Sequence, residues 1–437
     1  MPKVVLTIGG SDSGGGAGIQ ADIKTFSALG LHGTSVITAV TAQNTLGVQR
    51  VIGLEPEAVS IQLRSVTDDF HIDFAKTGML YSSGIVTAVA NHLLETKIPL
   101  VLDPVIEAEA GGRLLRTSAL EAVKEYLIPL AYVVTPNIFE ARALTGIPVR
   151  DACDAEIAAH KILDLGANAV MIKGGHLDCT DFLLEDMELH QIHGKRAEGG
   201  NHGVGCTYSA ALTSFLARGY TLRKAAIEAK SFAAQAISNS MDVGRGVAPV
   251  SQTGALLKDA YRFRILSDIR MAIEMLEKGN IKHIIPKTGS SIAAALPDAA
   301  SPEDIAEGKI TQKGGEGVHQ SGCIKFGEDS PLSRIILAIK GFDQNARAAM
   351  ILNRDAVSSD QELIGAQAQK IANVITTKDI DLRALEPALL KNNTEGTAMI
   401  SEIWSKLDRM RFSILAGATA IDVAATAVML AKASRPN

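Results

Sequence analysis

The sequence is poor in the residues that nucleic-acid-binding surfaces need. Its 43 Lys and Arg are outnumbered by 48 Asp and Glu, the net charge is −5, and aromatic residues make up only 4% of the chain. A broad nucleic-acid footprint requires a basic surplus, and platforms for single strands require aromatic side chains. The composition therefore argues against a nucleic-acid-binding protein, while 46% hydrophobic and 21% charged residues are ordinary for a globular chain.

Cysteine is also scarce, and its spacing favours neither a zinc site nor a disulfide framework. Cys153, Cys179, Cys206 and Cys323 form no CxxC pair and no cluster with histidine. The sequence has no run of the ~20 apolar residues that a membrane-spanning helix needs. The N-terminus Met1–Leu6 passes directly into a strand-like run rather than into a signal peptide. We therefore expect a reduced, soluble, cytoplasmic protein.

A length of 437 residues predicts two or three domains. Over roughly the first 245 residues, short Val-, Ile- and Leu-rich runs alternate with stretches of helical spacing, which predicts an α/β fold. A mostly parallel sheet with helices on both faces fits this pattern. The predicted strands are Val4–Ile8, Ser35–Val40, Phe74–Met79, Leu100–Val105, Tyr132–Thr135 and Ala169–Lys173. Because ligands bind beyond the carboxyl ends of parallel strands, the polar and glycine-rich residues after these strands predict one ligand site.

A stretch rich in glycine and small residues divides the chain. Residues Val243–Ser251 are predicted to form a domain linker. We therefore predict a first domain over residues 1–250 and a second, smaller α/β domain over residues 256–437. Helices are expected in the second domain at Ile269–Leu276, Ser333–Lys340, Gln361–Ile375 and Ala420–Lys432.

The first candidate motif is the glycine-rich stretch Gly9–Gly18, between a predicted strand and a predicted helix. Glycine lets the backbone approach a ligand closely, and the start of a helix supplies free N–H groups. The stretch lacks both the Gly-Lys-Ser/Thr ending of a P-loop and the spacing of a dinucleotide fingerprint. Two interpretations remain open from these residues, a ligand-binding loop and a sharp turn from strand to helix.

The second candidate motif, Gly199–Ala211, leads from glycines into a helix predicted to start near Cys206. Backbone amides at such a start, including those around Gly203 and Gly205, can hold an anion because the helix dipole favours negative charge there. This position predicts a lowered pKa for the Cys206 thiol, which could then take a proton from a hydroxyl group in phosphoryl transfer. The alternative is that Cys206 is a buried, small apolar side chain.

The third candidate is the pair Asn137 and Glu140, three residues apart after a predicted strand. On a helix that begins there, their side chains share a face and could order the water ligands of Mg²⁺ around a polyphosphate, with Asp103 as a second carboxylate. The alternative is a capping box, with Asn137 as the N-cap. His176 and His202 lie beside glycines, and we assign them no role, because lone histidines are more often structural than catalytic.

Together these motifs resemble those of hydroxymethylpyrimidine and phosphomethylpyrimidine kinases, which belong to the ribokinase-like superfamily. The resemblance runs from Val4 to Val250. It rests, in chain order, on Gly9–Phe26, Thr38–Thr45, Lys76–Leu80, Leu102–Val105, Thr135–Asn137, Lys173–His176 and Gly203–Ser209. It implies two ATP-dependent phosphorylations in thiamine biosynthesis, first of the hydroxymethyl group of an aminopyrimidine and then of the resulting monophosphate. It also implies that ATP and Mg²⁺ are the cofactors.

The resemblance implies roles for single residues as well. Gln43 would hydrogen-bond the aminopyrimidine, whose donor and acceptor edge a Gln amide can match. The ring would lie between Met79 and Val105. The other implied residues are Ala17 and Asp22 on the substrate side, Asn137, Glu140 and Lys173 on the nucleotide side, and Gly203, Gly205 and Cys206 at an anion hole, with Cys206 as the base. A pyridoxal-type alcohol is the alternative substrate, because a shared fold does not set the substrate.

The second half, from about Ala260 to Asn437, is similar to the archaeal-type thiamine-phosphate synthase domain. The motifs are Lys287–Pro297, Gly308–Ile310, Lys325–Gly327, Ser333–Arg334 and Phe342–Met350. This resemblance implies a bifunctional chain whose second domain joins the pyrimidine diphosphate to thiazole phosphate. Lys287, Arg334 and Arg347 are candidate phosphate contacts, because cationic side chains suit such groups. Pro331, in place of an expected histidine, motivates the alternative of a non-catalytic module that binds thiamine phosphate. We expect the chain to form a homo-oligomer.

Overall fold

The structure is a computed structural model that describes residues 2–106, 117–175, 177–312, 314, 317–341, 343–353, 373–375 and 412–434. The chain divides into two compact units, Met1–Leu257 and Lys258–Asn437. The described residues form one sheet of nine strands and one of six. No helix among them has the length and apolarity that crossing a bilayer would require.

The first unit is built on the nine-stranded sheet. Its strands are β1 (Val4–Asp12), β2 (His32–Asn44), β3 (Gly47–Gly53), β4 (Phe74–Thr77), β5 (Leu100–Leu102), β6 (Ala131–Val134), β7 (Ala169–Ile172), β8 (Asp181–Glu185) and β9 (Glu188–Ile192). They lie in the order β3-β2-β1-β4-β5-β6-β7-β8-β9. The six from β2 to β7 in this order pair in parallel, while β3, β8 and β9 are antiparallel additions at the edges. The predicted, mostly parallel sheet is therefore confirmed, and the three antiparallel strands β3, β8 and β9 are the strands that the sequence did not predict.

Helices cover both faces of this sheet, as predicted. They are α1 (Gly18–Ala28), α2 (Pro56–Thr67), α3 (Ser83–Thr96), α4 (Thr117–Ala122), α5 (Ile138–Thr145), α6 (Ala152–Leu163), α7 (Val204–Ala217) and α8 (Leu222–Ser238). Helix α4 continues into a π turn, Val123–Leu127, and a 3-10 turn, Ile128–Leu130. In β5, Leu100 and Leu102 join the core shared with α2, α3 and α6, whereas Val101 joins the core shared with α7 and α8. Because both faces are buried, the central strands are apolar throughout rather than alternating.

The segment Val243–Ser251, predicted as a domain linker, instead packs against the first unit. The N–H of Val250 donates to the carbonyl oxygen of His202 at 3.1 Å. A Cβ added to Gly246 would lie 2.0 Å from the carbonyl oxygen of Thr45. Glycine allows such close approach of two backbones. The composition that suggested a flexible connection therefore reflects tight packing, and the linker prediction is wrong.

The strands of the second sheet are β10 (Ser290–Ala295), β11 (Ile305–Gln312), β12 (Val318–Phe326), β13 (Ala348–Asn353), β14 (Asn373–Ile375) and β15 (Phe412–Gly417). They lie in the order β12-β11-β10-β13-β15-β14, and their pairs are antiparallel. The remaining helices are α9 (Gly254–Lys278), α10 (Pro331–Lys340) and α11 (Ala420–Ala433), with 3-10 turns at Lys282–Ile284 and Pro302–Asp304. A second, smaller region of helices and strands is thus confirmed. Of the helix predicted over Gln361–Ile375, residues 361–372 lie outside the described residues, and residues 373–375 form β14 instead.

A buried ion pair ties α1 to β4 in the first unit. Nζ of Lys76 lies 2.8 Å from Oδ1 and 2.9 Å from Oδ2 of Asp22, and the Thr7 hydroxyl donates to Asp22 at 2.6 Å. The side chains of Lys76 and Asp22 are 0% and 2% exposed. Burial alone would lower the pKa of Lys76, but the carboxylate of Asp22 outweighs it, so the pKa is raised and the ammonium stays charged.

Replacing Lys76 by methionine should destabilise the protein by about 3–5 kcal/mol, because Asp22 would keep a buried charge without its partner. The double variant Asp22→Asn/Lys76→Met removes both charges and should recover most of the lost stability. Urea unfolding followed by circular dichroism measures both changes. A Lys76→Met variant as stable as the wild-type protein would contradict this account of the pair.

Candidate active site

A cavity of about 810 Å³ lies in the first unit, at the carboxyl ends of the parallel strands. It is lined by every candidate residue that the sequence predicted in the first half of the chain. These are Ala17, Asp22, Gln43, Met79, Asp103, Val105, Asn137, Glu140, Lys173, Gly203, Gly205 and Cys206. Residues far apart in the sequence meet there because parallel strands end at the same edge of a sheet. Their chemical roles remain predictions.

The glycine-rich stretch Gly9–Gly18 is a sharp turn that also forms one wall of the cavity. Strand β1 ends at Asp12, and α1 begins at Gly18, whose φ is +57°. A Cβ on Gly18 would lie 2.4 Å from the carbonyl oxygen of Gly10, so no larger residue fits. The stretch is therefore a sharp turn from strand to helix, as one interpretation predicted. Its residues also line the cavity, and a ligand-binding loop, the other interpretation, has to do so.

The second glycine motif forms the N-terminus of α7, which starts at Val204 rather than near Cys206. Gly203 precedes the helix with a φ of +88°, and a Cβ there would lie 1.9 Å from the carbonyl oxygen of Gly16. The N–H groups of Gly205 and Cys206 belong to the first turn, where a helix offers no acceptor of its own. Together with the helix dipole, these amides can bind an anion.

The predicted lowering of the pKa of Cys206 is wrong. Burial raises the pKa of this thiol to about 12; Lys76 opposes that change, whereas the carboxylates of Asp22 and Asp103 add to it. A helix N-terminus favours an anion by only about 0.3–1 kcal/mol, which is less than the cost of burying a charge without a full set of partners. At neutral pH the thiol of Cys206 is therefore protonated when no ligand is bound.

A second, partly buried ion pair lies beside the start of α7. Nζ of Lys173 is 2.9 Å from Oδ1 of Asp103, and the hydroxyl of Ser209 donates to Oδ2 of Asp103 at 2.9 Å. A Cβ built on Gly205 would lie 3.6 Å from Nζ of Lys173. Burial lowers the pKa of Lys173, but Asp103 and Glu140 outweigh it, so the pKa is raised and the ammonium persists. A fixed positive charge thus lies next to amides that can bind an anion.

Asn137 and Glu140 form the capping box that the sequence left open as an alternative. Oδ1 of Asn137 accepts from the N–H of Glu140 at 2.9 Å, and Oε2 of Glu140 accepts from the N–H of Asn137 at 2.8 Å. Burial raises the pKa of Glu140 to about 7; Lys173 opposes the increase and Asp103 adds to it. This capping carboxyl lines the cavity and changes its charge near neutral pH.

The residues expected on the substrate side make contacts of different kinds. Oε1 of Gln43 lies 3.2 Å from the hydroxyl oxygen of Thr41. The sulfur of Met79 lies 3.0 Å from where a Cβ on Gly10 would be, so the glycine leaves room for this side chain. Asp22 lines the cavity, but its oxygens are already bonded to Lys76 and to a threonine hydroxyl.

Among the polar residues of the cavity that received no role from the sequence are Asp12, Lys76 and His202. Oδ2 of Asp12 accepts from the N–H groups of Gly16 and Ala17 at 3.0 and 2.8 Å and lies 3.2 Å from Nε2 of His202. An aspartate followed by glycines is a signal for bonding to the amides of a turn, and it could have identified Asp12. His202 gave no such signal, because its partner lies 190 residues away.

In the second unit, the three candidate phosphate contacts have different surroundings. Nε of Arg334 donates to Oδ1 of Asp329 at 2.6 Å, so this guanidinium already has a carboxylate partner. Lys287 is exposed and Arg347 is half-buried. Pro331 is the first residue of α10, a position that suits proline because the N–H is not needed there. The described contacts of these side chains do not join them in one site.

Two family models match the chain. The model described as phosphomethylpyrimidine kinase matches residues 12–251, which is more than half of the chain. The model described as thiamine-phosphate synthase ThiN matches residues 268–374. The two matched regions follow each other in the same order as the two resemblances found in the sequence.

Relatives and solved structures resemble the first unit. The hydroxymethylpyrimidine/phosphomethylpyrimidine kinase of Streptomyces coelicolor is 46% identical over 258 residues, covering 58% of this chain and 96% of that protein. The thiamine biosynthesis bifunctional protein ThiED of Geobacter sulfurreducens is 45% identical over 252 residues, covering 56% of this chain and 51% of that protein. The ADP complex of Bacillus subtilis pyridoxal kinase has a TM-score of 0.54 at 34% identity, covering 59% of this chain and 100% of that chain. Staphylococcus aureus pyridoxal kinase with ADP has a TM-score of 0.55 at 36% identity, covering 58% of this chain and 95% of that chain.

The sheet order, the glycine loops at its carboxyl edge and these similarities agree with one another. The first unit has the ribokinase-like α/β fold that the sequence resemblance implied. The family model spans more than half of the chain, and the Streptomyces relative is matched over nearly its whole length. The chain therefore belongs to the phosphomethylpyrimidine kinase family.

Proposed function

We propose that the first unit phosphorylates 4-amino-5-hydroxymethyl-2-methylpyrimidine with ATP, and then phosphorylates the monophosphate, in thiamine biosynthesis. The observation that carries this proposal is that Gln43, Cys206 and Lys173 line one cavity. The Gln43 amide would hydrogen-bond the edge of the ring, the Cys206 sulfur would accept a proton, and Lys173 places a positive charge beside the N-terminus of α7. Phosphoryl transfer needs such positioning and charge stabilisation more than covalent chemistry. Membership of the kinase family supports the same reaction.

In each transfer, an acceptor oxygen forms a bond to the γ-phosphorus while the bond to the bridging oxygen of ATP breaks, and ADP leaves. The amides of Gly205 and Cys206 and the ammonium of Lys173 stabilise the charge on the transferred group. When the acceptor is the hydroxymethyl group, its proton goes to Sγ of Cys206. Because burial raises the pKa of this thiol to about 12, a small thiolate fraction carries the step at neutral pH. A phosphate acceptor is already ionised and needs no base.

ATP is the phosphoryl donor of this kinase family, and we propose Mg²⁺ as the accompanying cation. The described residues contain no cluster of three or more His, Cys, Asp and Glu side chains that could hold a metal ion. The donors present fit a cation that arrives with the nucleotide, because Mg²⁺ keeps several waters and takes other ligands from phosphates. Asp103 and Glu140 would hold it, and it would neutralise phosphate charge. Its presence would also favour the ionised form of Glu140.

A pyridoxal-type alcohol is the second candidate substrate, because pyridoxal kinases of known structure share the fold at 34% and 36% identity. The fold alone does not separate the two substrates. The aminopyrimidine is favoured because identity to the Streptomyces pyrimidine kinase is higher, at 46%, over 96% of that protein. Gln43 in the cavity also suits a ring edge that carries both a donor and an acceptor.

The full chain, given MgATP, should phosphorylate the aminopyrimidine with a kcat/KM at least about tenfold above that for pyridoxal, because an unmatched polar group at the ring edge weakens binding of the wrong ring. A coupled assay of ADP release with each substrate measures the ratio. A preference for pyridoxal would refute the proposed substrate. The variant Gln43→Leu should reduce the preference by removing the amide.

Replacing Cys206 by alanine should slow phosphorylation of the alcohol about 100-fold, the lower range for general-base catalysis, and affect phosphorylation of the monophosphate far less. Cys153→Ala, at an exposed cysteine, is the matched control. Between about pH 8 and 9.5, above the pKa of Glu140, kcat/KM for the alcohol should rise nearly tenfold per pH unit, because the thiolate fraction does. In Cys206→Asp this rise should disappear. Equal losses on both substrates, or a flat profile for the wild-type protein, would contradict a base at Cys206.

For the second unit, we propose that it joins the pyrimidine diphosphate to thiazole phosphate. The thiazole nitrogen bonds to the methylene carbon of the pyrimidine, the carbon–oxygen bond to the diphosphate breaks, and pyrophosphate leaves. The match of residues 268–374 to the ThiN model supports this assignment. A relative of the first unit is also named as a bifunctional thiamine biosynthesis protein. A cytoplasmic location, a homo-oligomeric state and the domain limits of 1–250 and 256–437 stay predictions.

The full chain, supplied with the pyrimidine diphosphate and thiazole phosphate, should release pyrophosphate and thiamine phosphate in equal amounts. Chromatography of the products and a pyrophosphate assay measure both. Tight binding of thiamine phosphate in calorimetry, without any turnover, would instead support the non-catalytic module. Supplying the diphosphate directly keeps a failure of the first unit from affecting the result.

A further inference from the structure

A polar network joins separate segments of the cavity wall without including the reacting groups. Oδ1 of Asp12 accepts from the N–H of Gly14 at 2.8 Å, and Oδ2 accepts from the N–H groups of Gly16 and Ala17 at 3.0 and 2.8 Å. The same Oδ2 lies 3.2 Å from Nε2 of His202. Asp12 and His202 are 3% and 6% exposed, so water competes little for these contacts.

The position of the His202 ring is fixed by its surroundings. A Cβ on Gly16 would lie 2.3 Å from Cδ2 of His202, so the ring packs directly against the glycine loop. The N–H of His202 donates to the carbonyl oxygen of Ala248 at 3.3 Å, and its carbonyl oxygen accepts from the N–H of Val250 at 3.1 Å. The ring is therefore held between the glycine loop and the segment that packs beside it.

The contact with Asp12 determines which nitrogen of His202 carries a proton. Burial raises the pKa of Asp12, but the hydrogen bonds from His202 and from the loop amides outweigh it, so the pKa is lowered and the carboxylate stays ionised. An ionised carboxylate can only accept hydrogen bonds. Nε2 of His202 must therefore be the donor, whether or not Nδ1 is also protonated.

This choice matters for Gln43. Nε2 of Gln43 lies 3.5 Å from Nε2 of His202. Two N–H groups do not bond each other, so His202 leaves the amide NH₂ of Gln43 available to a ligand in the cavity. With its proton on Nδ1 instead, His202 would present an acceptor and would take that NH₂.

We propose that Asp12 and His202 are positioning residues that determine ring specificity, with Asp12 fixing the tautomer of His202 so that the Gln43 amide stays free for an aminopyrimidine ring. Neither residue touches the transferred phosphoryl group in this account, and both act through Gln43. The inference rests on the proposed function, in which Gln43 is the contact to the ring. It explains why a buried carboxylate and a buried histidine meet beside a ring-binding amide.

The tautomer can be observed directly in the full chain labelled with ¹⁵N-histidine. Nε2 of His202 should give the signal of a protonated nitrogen, because the Asp12 carboxylate beside it can only accept. The His202→Gln variant identifies the signal by its loss. In Asp12→Ala, which removes the acceptor, the proton should no longer be confined to Nε2 of His202. An unprotonated Nε2 of His202 in the wild-type protein would overturn the inference.

Kinetics test the consequence for Gln43. Asp12→Ala, which removes the acceptor for His202, should raise KM for the aminopyrimidine about tenfold, the effect of one lost hydrogen bond, and leave KM for ATP unchanged. Leucine at position 202 has no acceptor for the Gln43 amide, so the double variant Asp12→Ala/His202→Leu should recover most of the KM for the pyrimidine. An unaltered KM for the pyrimidine in Asp12→Ala, or no recovery in the double variant, would overturn the inference. A wild-type protein inactive on the aminopyrimidine would refute the proposed function instead, and the NMR result would still stand.

Discussion

The two glycine loops of the first unit touch where no side chain fits, and the cavity depends on that contact. A Cβ on Gly203 would lie 1.9 Å from the carbonyl oxygen of Gly16, where the two loops meet, and within the first loop a Cβ on Gly18 would lie 2.4 Å from the carbonyl oxygen of Gly10. This approach brings the start of α1 against the start of α7, so that the N–H of Gly18 bonds the sulfur of Cys206. A larger residue at Gly203 would push the start of α1 away from the start of α7. The sulfur of Cys206 and the anion-binding amides of α7 would then move away from the first glycine loop.

Crowding at this edge of the sheet also sets the charge of the cavity. Three buried carboxyl groups, those of Asp22, Asp103 and Glu140, share the two ammonium groups of Lys76 and Lys173. Glu140 is the group that can give up its charge, because burial raises its pKa to about 7. A polyphosphate entering such a site adds further negative charge, which amides and Lys173 neutralise only in part. In the proposed function, a cation that arrives with the nucleotide would offset part of this charge.

The central strands could be predicted because burial on both faces leaves an unbroken apolar run, as in Leu100–Leu102 and Ala169–Ile172. Strand β9, Glu188–Ile192, has polar and partly exposed residues and carries little of this signal. The sequence wrongly predicts a linker at Val243–Ser251, because glycine is common both in flexible linkers and where two backbones pack closely, and composition does not separate the two cases. For Cys206, the sequence indicated a helix N-terminus but not the carboxylates that the fold brings near the sulfur. Such neighbours are set by tertiary structure, and no local pattern contains them.

For several residues the sequence left a structural and a functional interpretation open, and in the fold one residue can meet both. Asn137 and Glu140 cap α5 and also line the cavity, and Cys206, a half-buried residue in the first turn of α7, lines the same cavity. The reason is geometric, because strand ends, helix N-termini and the ligand site of a parallel sheet occur at one edge. A group that satisfies the fold there is already within reach of a ligand. His202 follows the same logic: its bond to Asp12 makes it a satisfied structural histidine, and that bond is also what would let it leave Gln43 free.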